Sequence, residues 1–369
     1  MRLSKTLSLL LLAGPVACAA DPTLGDGSAA ADENGPLYED DTSSADELAQ
    51  AHRIESLRPV AGELRTLTRN LAPVTGFRAP TLNAGATIAT LRQLRLDGVD
   101  ARVVVDIDAL VTSVVSSAAW NTGTEAAGRS DAPWLRAHER AAPDPYVKLS
   151  ETHAEDGAAE IALSIDMCQS SRAWNKNLYD ELSRLGDVLG SPVPVGIAMT
   201  GGWARSHAAE FADLQRRAKD TLAVEWINHS NTHPLHCTDS SQRTCHFLTD
   251  SGVDMQAEVL GLEQVLLARG EVVGPLFRFP GLVHDARRLD QLDALGLFAL
   301  DANAWIAKGQ PVAPGSVILV HGNGNEPPGI QKFMIWLRDH KTELETGKTR
   351  FVSPRYVLGP VLGPVPDAQ

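Results

Sequence analysis

From residue 160 onward, short apolar or β-branched runs alternate with amphipathic stretches of helical period. The runs are EIALSID (160–166), VPVGIAMT (193–200), TLAVEWINH (221–229), GPLFRFPG (274–281), GLFALDAN (296–303) and SVILVHGN (316–323), and RFVS (350–353) is a candidate seventh. Near-continuous apolar strands separated by helices are typical of a parallel sheet that helices cover. The alternation therefore predicts an α/β fold with six to seven parallel strands.

Most of these runs end on a polar residue of a type that enzymes use in catalysis. In chain order these residues are Asp166, His229, Arg278, Asp301 and His321. In a (β/α) barrel the C-terminal ends of the strands meet at one mouth, where the active site lies. An open doubly wound sheet would instead gather the same residues along one edge. The count of six to seven strands favours the barrel.

The segment NHSNTHP (228–234) places two histidines four residues apart, directly before a proline. A helix would also put His229 and His233 on one face. However, Pro234 disfavours the helical conformation for His233, and the intervening Ser, Asn and Thr form no apolar stripe. The glutamate of the H-E-x-x-H zinc-peptidase helix is also missing. The segment is therefore predicted to be a loop.

The N-terminal residues predict export. MRLSKTLSLLLLAGPVACAA (1–20) has the basic start, short apolar run and small-residue end of a signal peptide. PVAC resembles a bacterial lipobox, so we expect a lipid on Cys18, with a signal-peptidase cut near Ala20 as the alternative. Residues 21–50 contain nine acidic residues and no Lys or Arg, which predicts a disordered tether. The expected location is the bacterial cell envelope, as a lipoprotein, or the exterior, and the lipid is the only expected membrane contact.

The composition excludes one class of partner. The formal net charge is −13 at pH 7. Nucleic acid binding needs clustered positive charge, so we expect no nucleic acid partner. A hydrophobic fraction of 43% with 21% charged residues is typical of a soluble globular protein.

Residues 51–145 precede the alternating region. We predict that they form an N-terminal extension or a small accessory domain, and that 146–360 form the barrel. A hairpin is expected around Asp97 and Gly98, because Asp-Gly favours a tight turn between strands. The stretch 118–146, rich in Ala, Pro and charge, is interpreted as a linker or an irregular lead-in. No chemistry is assigned to this region.

The chain has four cysteines. In an oxidising compartment, CTDSSQRTC (237–245) is able to close a small loop through a disulfide between Cys237 and Cys245. A bridge from Cys168 to either of these remains an alternative at this stage.

Five segments between about residues 160 and 355 match known motifs. In chain order they are ALSIDMC (162–168), NHSNTHP (228–234), FRFPG (277–281), DANAW (301–305) and LVH (319–321). In the same order they resemble the ALTFDDG, H-S/T-x-x-H metal, arginine–proline, D-x-x-D-W and Leu-x-His motifs of the polysaccharide deacetylases of carbohydrate esterase family 4. The resemblance implies a distorted (β/α) barrel that removes N-acetyl groups from amino sugars with a divalent metal, often zinc.

The resemblance also implies roles for individual residues. His229 and His233 would bind the metal, and Asp166 would be the catalytic base. Arg278 would hold Asp166, and His321 would be the catalytic acid. The remaining residues that the motifs implicate are Asp301 as a further catalytic residue and Trp305, Leu319 and Pro280 as the substrate pocket.

Two positions depart from the family pattern. Met167 stands where the family's first motif has a metal-ligand aspartate, and Cys168 fits an Asp-x-Cys version found in one branch of the family. Ala304 replaces the second aspartate of the D-x-x-D-W motif. We therefore expect weaker metal binding than in the common family pattern.

The expected function is hydrolysis of N-acetyl groups on an N-acetylated polysaccharide or oligosaccharide by metal-activated water. One alternative is a glycan-binding protein that kept the barrel and lost catalysis. Another is a metal-dependent hydrolase of a different C–N amide bond. A Ser-His-Asp hydrolase is disfavoured, because the sequence has no G-x-S-x-G motif.

Overall fold

The computed structural model describes residues 52–60, 62–128, 130–140, 144–150, 154, 156–237 and 245–359. The predicted signal peptide (1–20) with its lipidated Cys18 and the predicted tether (21–50) lie outside the described residues. These expectations therefore remain predictions.

The N-terminal region contains a six-stranded antiparallel sheet. Its strands are β1 (Ile54–Pro59), β2 (Leu64–Thr66), β3 (Thr87–Leu96), β4 (Val99–Asp106), β5 (Thr112–Ser116) and β6 (Thr124–Glu125). Their order is β5-β4-β3-β2-β6, and β1 also pairs with β3. Asp97 and Gly98, with φ of 49° and 79°, form the turn between β3 and β4, as a two-residue hairpin loop requires. The predicted hairpin is confirmed.

The stretch 118–146 is more ordered than the linker interpretation implied. Its described residues include most of α1 (Ser117–Trp120), all of β6, and α2 (Pro133–His138). Trp120 and Trp134 are buried, with exposures of 0% and 4%. Because burying a tryptophan removes a large apolar area from water, these two side chains fix the segment against the neighbouring sheets.

The second sheet confirms the predicted α/β fold. Its strands are β7 (Ala159–Met167), β8 (Val193–Met199), β9 (Leu222–Asn228), β10 (Val273–Phe277), β11 (Phe298–Ala299), β12 (Ala304–Trp305), β13 (Val317–His321) and β14 (Thr349–Val352). All pairs are parallel. The order is β11-β10-β9-β8-β7-β13-β12, with β14 beside β7. The sheet curls into a distorted barrel that is open between the two-residue strands β11 and β12. Strand β12 was not among the predicted runs.

Helices cover the outer face of this sheet. They are α3 (Lys176–Leu189), α4 (Gly201–Ser206), α5 (Ala208–Asp220), α6 (Met255–Leu267), α7 (Ala286–Ala294), α8 (Pro327–Asp339) and α9 (Lys341–Glu345). Single 3₁₀ turns lie at Phe247–Thr249, Pro280–Leu282, Ile306–Lys308 and Pro354–Leu358. Among the helices that the structure describes, none combines the length and apolar character that crossing a membrane requires.

The two faces of the barrel strands pack in different cores, because successive side chains of a strand point to opposite sides. In β7, Ile165 and Met167 face the helices and join the core that includes Leu178 of α3. Ala162 faces the inside of the barrel, where it joins the core shared with Trp134. Asp166, between Ile165 and Met167, consequently faces inward.

A buried ion pair connects the N-terminal sheet to the barrel. Arg92 of β3 donates two hydrogen bonds of 2.7 Å to the carboxylate of Glu263 in α6. Its third nitrogen donates to the carbonyl of Leu295, at 2.6 Å. Both charged side chains are buried. Because a buried charge is tolerated only when its hydrogen bonds are satisfied, this pair fixes how the sheet meets α6.

Candidate metal and catalytic site

Four of the predicted site residues meet at the C-terminal mouth of the barrel. Asp166 is the last but one residue of β7, and His321, its direct parallel neighbour, ends β13. Asp166 Oδ1 lies 3.0 Å from Arg278 Nη1, and Asp166 Oδ2 lies 3.8 Å from His229 Nε2. The convergence follows from the parallel arrangement, since every strand presents the same end to the mouth.

Arg278 holds the Asp166 carboxylate in place. The arginine is fully buried and uses three nitrogens for three partners. Besides Asp166, it donates to the carbonyl of Leu300 at 2.6 Å and to the Ser164 hydroxyl at 2.9 Å. Charge-assisted bonds of this kind are strong and directional, so the carboxylate is both oriented and paired. The arginine pairs with Asp166 rather than with Asp301.

His229 is arranged to present a lone pair. Its Nδ1 donates to the carbonyl of Arg278 at 2.7 Å, which leaves Nε2 as the acceptor nitrogen. The side chain is fully buried, and this burial lowers the pKa of His229 to about 4. The imidazole is therefore neutral at pH 7. Neutral imidazole with its second nitrogen bonded to a carbonyl is the usual form of a metal-ligating histidine.

His233 lies in a loop, as predicted. The loop has two residues with positive φ, Ser230 (72°) and His233 (49°), a conformation that costs free energy and persists only when neighbours enforce it. Glu258 of α6 does so by accepting hydrogen bonds from the backbone amides of Asn231 and Thr232 and from the Thr232 hydroxyl. No motif in the sequence marks Glu258.

The Nε2 atom of His233 is buried and has no hydrogen-bond partner among the described residues. Burial, and then the charge of His229, lower the pKa of His233 well below its usual value. The two imidazole rings meet edge to face, with centroids 5.1 Å apart. A neutral imidazole nitrogen that is buried without a partner fits a metal ligand better than a structural histidine.

The structure places Cys168, not Met167, beside the two histidines. Met167 faces the outer core, where its sulfur accepts a hydrogen bond from the Tyr179 hydroxyl at 3.0 Å. Cys168 Sγ lies 3.4 Å from His229 Nε2, and one donor atom each from Cys168, His229 and His233 lie within 4.8 Å of one another. Met167 therefore does not occupy a ligand position, which corrects the expectation from the motif comparison.

The cysteine pairing is partly as expected. Cys237 and Cys245 form a disulfide, which confirms the predicted small loop and excludes a bridge from Cys168 to either one. The sulfur of Cys168 is a strong metal ligand only as a thiolate, so oxidation of Cys168 would remove this donor.

Glu326 joins two of the predicted residues. Its Oε2 lies 2.9 Å from His321 Nδ1 and accepts a hydrogen bond from Trp305 Nε1 at 3.2 Å. The rings of Trp305 and His321 have centroids 6.0 Å apart. No motif in the sequence marks Glu326. Its only signal is a single acidic residue five positions after the last strand-end histidine.

The other two predicted pocket residues, Leu319 and Pro280, also lie near residues of the mouth. Leu319 is two residues before His321, on the same face of β13, and pairs in register with Trp305. Pro280 is buried and begins a 3₁₀ turn two residues after Arg278.

Asp301 does not contact the Asp166–Arg278 pair. Its Oδ2 lies 3.5 Å from His284 Nε2, and its Oδ1 is buried without a hydrogen-bond partner among the described residues. Asp301 thus forms a separate pair with a histidine to which the sequence analysis assigned no role.

Comparison with known proteins finds similar solved structures, whereas no model of a protein family matches the chain. A family 4 carbohydrate esterase from Streptomyces lividans, in complex with acetate, is 17% identical, with 53% of this chain and 94% of that chain covered and a TM-score of 0.38. A family 4 carbohydrate esterase from Bacillus anthracis is 18% identical, with 62% and 92% covered and a TM-score of 0.41. A family 4 pseudoenzyme from Bacillus anthracis is 16% identical, with 58% and 75% covered and a TM-score of 0.36. These are structures of the family whose motifs the sequence resembles.

Proposed function

We propose that this protein is a metal-dependent hydrolase that removes N-acetyl groups from an N-acetylated glycan. One observation supports this most directly. The buried, neutral imidazoles of His229 and His233 place their donor nitrogens close together, and His229 lies beside Asp166, a carboxylate that a buried arginine holds. A structural role for His233 would leave its Nε2 without a partner in the interior, which is costly.

The donor set fits a divalent metal such as zinc. His229 and His233 would hold it, and Cys168 would join them when reduced. Imidazole nitrogen and thiolate sulfur are typical zinc ligands, and catalytic zinc commonly has three protein ligands. When bound, such an ion activates water for attack and polarises a carbonyl group.

Two residues around this donor set would each carry out one proton transfer, one as the base and the other as the acid. Asp166 takes the proton of the attacking water, and Arg278 keeps the carboxylate oriented for that transfer. His321, the direct neighbour of Asp166 on the next strand, donates a proton to the amine nitrogen as the C–N bond breaks. A base and an acid on adjacent strand ends thus flank the space in which an acetamide would react.

The wall of this space is apolar. Trp305 is 4% exposed and Leu319 is 1% exposed; Leu319 lies on the strand that carries His321, and Trp305 lies on the strand beside it. We propose that they contact the acetyl methyl group, whereas the sugar lies outside the mouth. This arrangement would make the pocket selective for the acetyl group, and the surrounding loops would determine which glycan binds.

Acetate release tests the proposal. The substrates are chitin oligomers, peptidoglycan and acetylated exopolysaccharide, each assayed with added zinc and reductant and after chelation. We expect acetate from at least one substrate, loss on chelation, and loss in His229→Ala. His340→Ala is the matched control, because His340 lies between α8 and α9, away from the mouth. Hydrolysis of other amides, with no acetate from any glycan, would favour a hydrolase of another C–N bond.

A non-catalytic glycan-binding protein is the second candidate. The donor set favours it, since Cys168, His229 and His233 include no carboxylate and the Cys168 sulfur is a strong ligand only as a thiolate. Glycan binding without acetate release, in both reduced and oxidised protein with zinc present, would support this candidate and overturn the hydrolase.

A further inference from the structure

Glu326 carries a role that none of the sequence motifs assigns. After β13 ends at His321, the chain runs through four residues and returns to place Glu326 Oε2 at 2.9 Å from His321 Nδ1. The same carboxylate accepts the Trp305 indole N–H. One acidic side chain therefore connects the proposed acid to the proposed pocket wall.

The start of α8 leaves the Glu326 carboxylate directed toward His321. Glu326 directly precedes α8, yet its side chain makes no capping bond to that helix. Gly329, in the first turn of α8, makes room for it, because a Cβ atom at Gly329 would lie 2.9 Å from Glu326 Oε2 and 3.1 Å from Ala307 Cβ. A larger residue at 329 would push the carboxylate away from the imidazole.

A carboxylate at this nitrogen has a defined chemical effect. It accepts the Nδ1 proton of His321 and fixes the tautomer, so that proton exchange with a substrate takes place at Nε2. Strand β12, which lies beside β13, offers no such group at position 304, where the side chain is the methyl of Ala304.

We propose that Glu326 is a positioning residue that holds His321 in the tautomer and orientation needed to protonate the departing amine. The inference rests on the proposed function, because it assigns a partner to the proposed acid. It predicts an effect confined to reactions whose leaving group needs a proton. Amide hydrolysis needs one, since an amine leaves; hydrolysis of 4-nitrophenyl acetate does not, since 4-nitrophenolate leaves unaided.

The kinetic test compares these two substrates in the zinc-loaded, reduced protein. The variants are Glu326→Gln, Glu326→Ala and Gly329→Ala, with Glu343→Gln as the control on an exposed surface of α9. We expect kcat for the N-acetyl amide to fall by roughly 10- to 100-fold with KM nearly unchanged. Activity on 4-nitrophenyl acetate should stay within about twofold of the parent, as general-acid help is not needed there. Equal losses on both substrates, or no loss on either, would overturn the inference.

Gly329→Ala tests whether the location of the Glu326 carboxylate matters, as distinct from its presence. This variant keeps the carboxylate and improves the helix propensity of the position, but it displaces Glu326 from His321. We expect it to reproduce the leaving-group dependence of Glu326→Ala without loss of folded protein. Full amide activity in Gly329→Ala would contradict the geometric argument.

A measurement that does not depend on turnover keeps the two proposals distinguishable. Nitrogen-15 NMR of labelled histidine reports the imidazole tautomer, and a His321→Gln variant assigns the His321 signals. We expect the Nδ1–H form of His321 in the parent and a mixture in Glu326→Ala. An unchanged spectrum would overturn the role of Glu326. A parent that shows this coupling but releases no acetate would refute the proposed function alone.

Discussion

Replacing Arg278 with methionine removes the cation that faces Asp166 and retains a long apolar stem. The wild-type arginine is fully buried and bonds to Asp166, Ser164 and the Leu300 carbonyl. The variant leaves a carboxylate that is 2% exposed without its cationic partner. Breaking a buried ion pair from one side costs about 3–5 kcal/mol, and an unsatisfied buried carbonyl about 1–3 kcal/mol more. We expect the free energy of unfolding to fall by at least about 4 kcal/mol.

The second variant in this experiment combines Asp166→Asn with Arg278→Met. It removes the orphaned charge, so its free energy of unfolding should exceed that of Arg278→Met by about 2 kcal/mol or more. Urea unfolding of the metal-free protein, followed by tryptophan fluorescence, measures both values. A loss below about 1 kcal/mol in Arg278→Met, or a double variant less stable than the single one, would refute the claim that this pair is buried and mutually dependent.

Three further outcomes follow from the same structure. Burial lowers the pKa of His229 from 6.5 to about 4, so at pH values between these two the unfolded chain binds a proton that the folded metal-free protein excludes. The free energy of unfolding should therefore fall by about 3 kcal/mol as the pH drops from about 6.5 to 4. Urea titrations should show a smaller fall in His229→Gln. Zinc should bind the reduced parent protein at least about tenfold more tightly than it binds Cys168→Ala, and titration calorimetry measures both affinities. Mass spectrometry of the mature N-terminus should find acyl chains on Cys18, whereas a free amine near Asp21 would indicate a secreted form.

The longer barrel strands were predictable because each is an apolar run whose burial is evident locally. Val193–Met199, for example, is buried at every position but one, and its sequence alone shows near-continuous hydrophobicity. Ala304–Trp305 was not predicted as a strand. It is two residues long, and only its pairing with β13 makes it one. That pairing depends on tertiary contacts that a local pattern does not contain.

The strand-end side chains were predictable for a topological reason, whereas the groups that support them were not. Parallel strands bring Asp166 and His321 together wherever their loops run. Glu258 and Glu326 contribute through contacts across loops, and a single glutamate in a loop or helix resembles any solvated surface residue in sequence. The backbone conformation of Ser230 and His233 could not be predicted either, because positive φ is uncommon for every residue type except glycine.

The alternation of side chains along β7 gives a last prediction, for Met167. With Asp166 directed inward, position 167 must point outward while the strand continues, and position 168 is the next one that reaches the mouth. Met167→Asp would therefore place a carboxylate in the outer core, beside Tyr179, and not among the metal donors. We expect it to destabilise the fold by several kcal/mol, with no recovery when zinc is added to a thermal melt. If zinc stabilised this variant more than it stabilises the parent, residue 167 would reach the mouth. Position 167 would then be the third metal-ligand position, as the motif comparison first indicated.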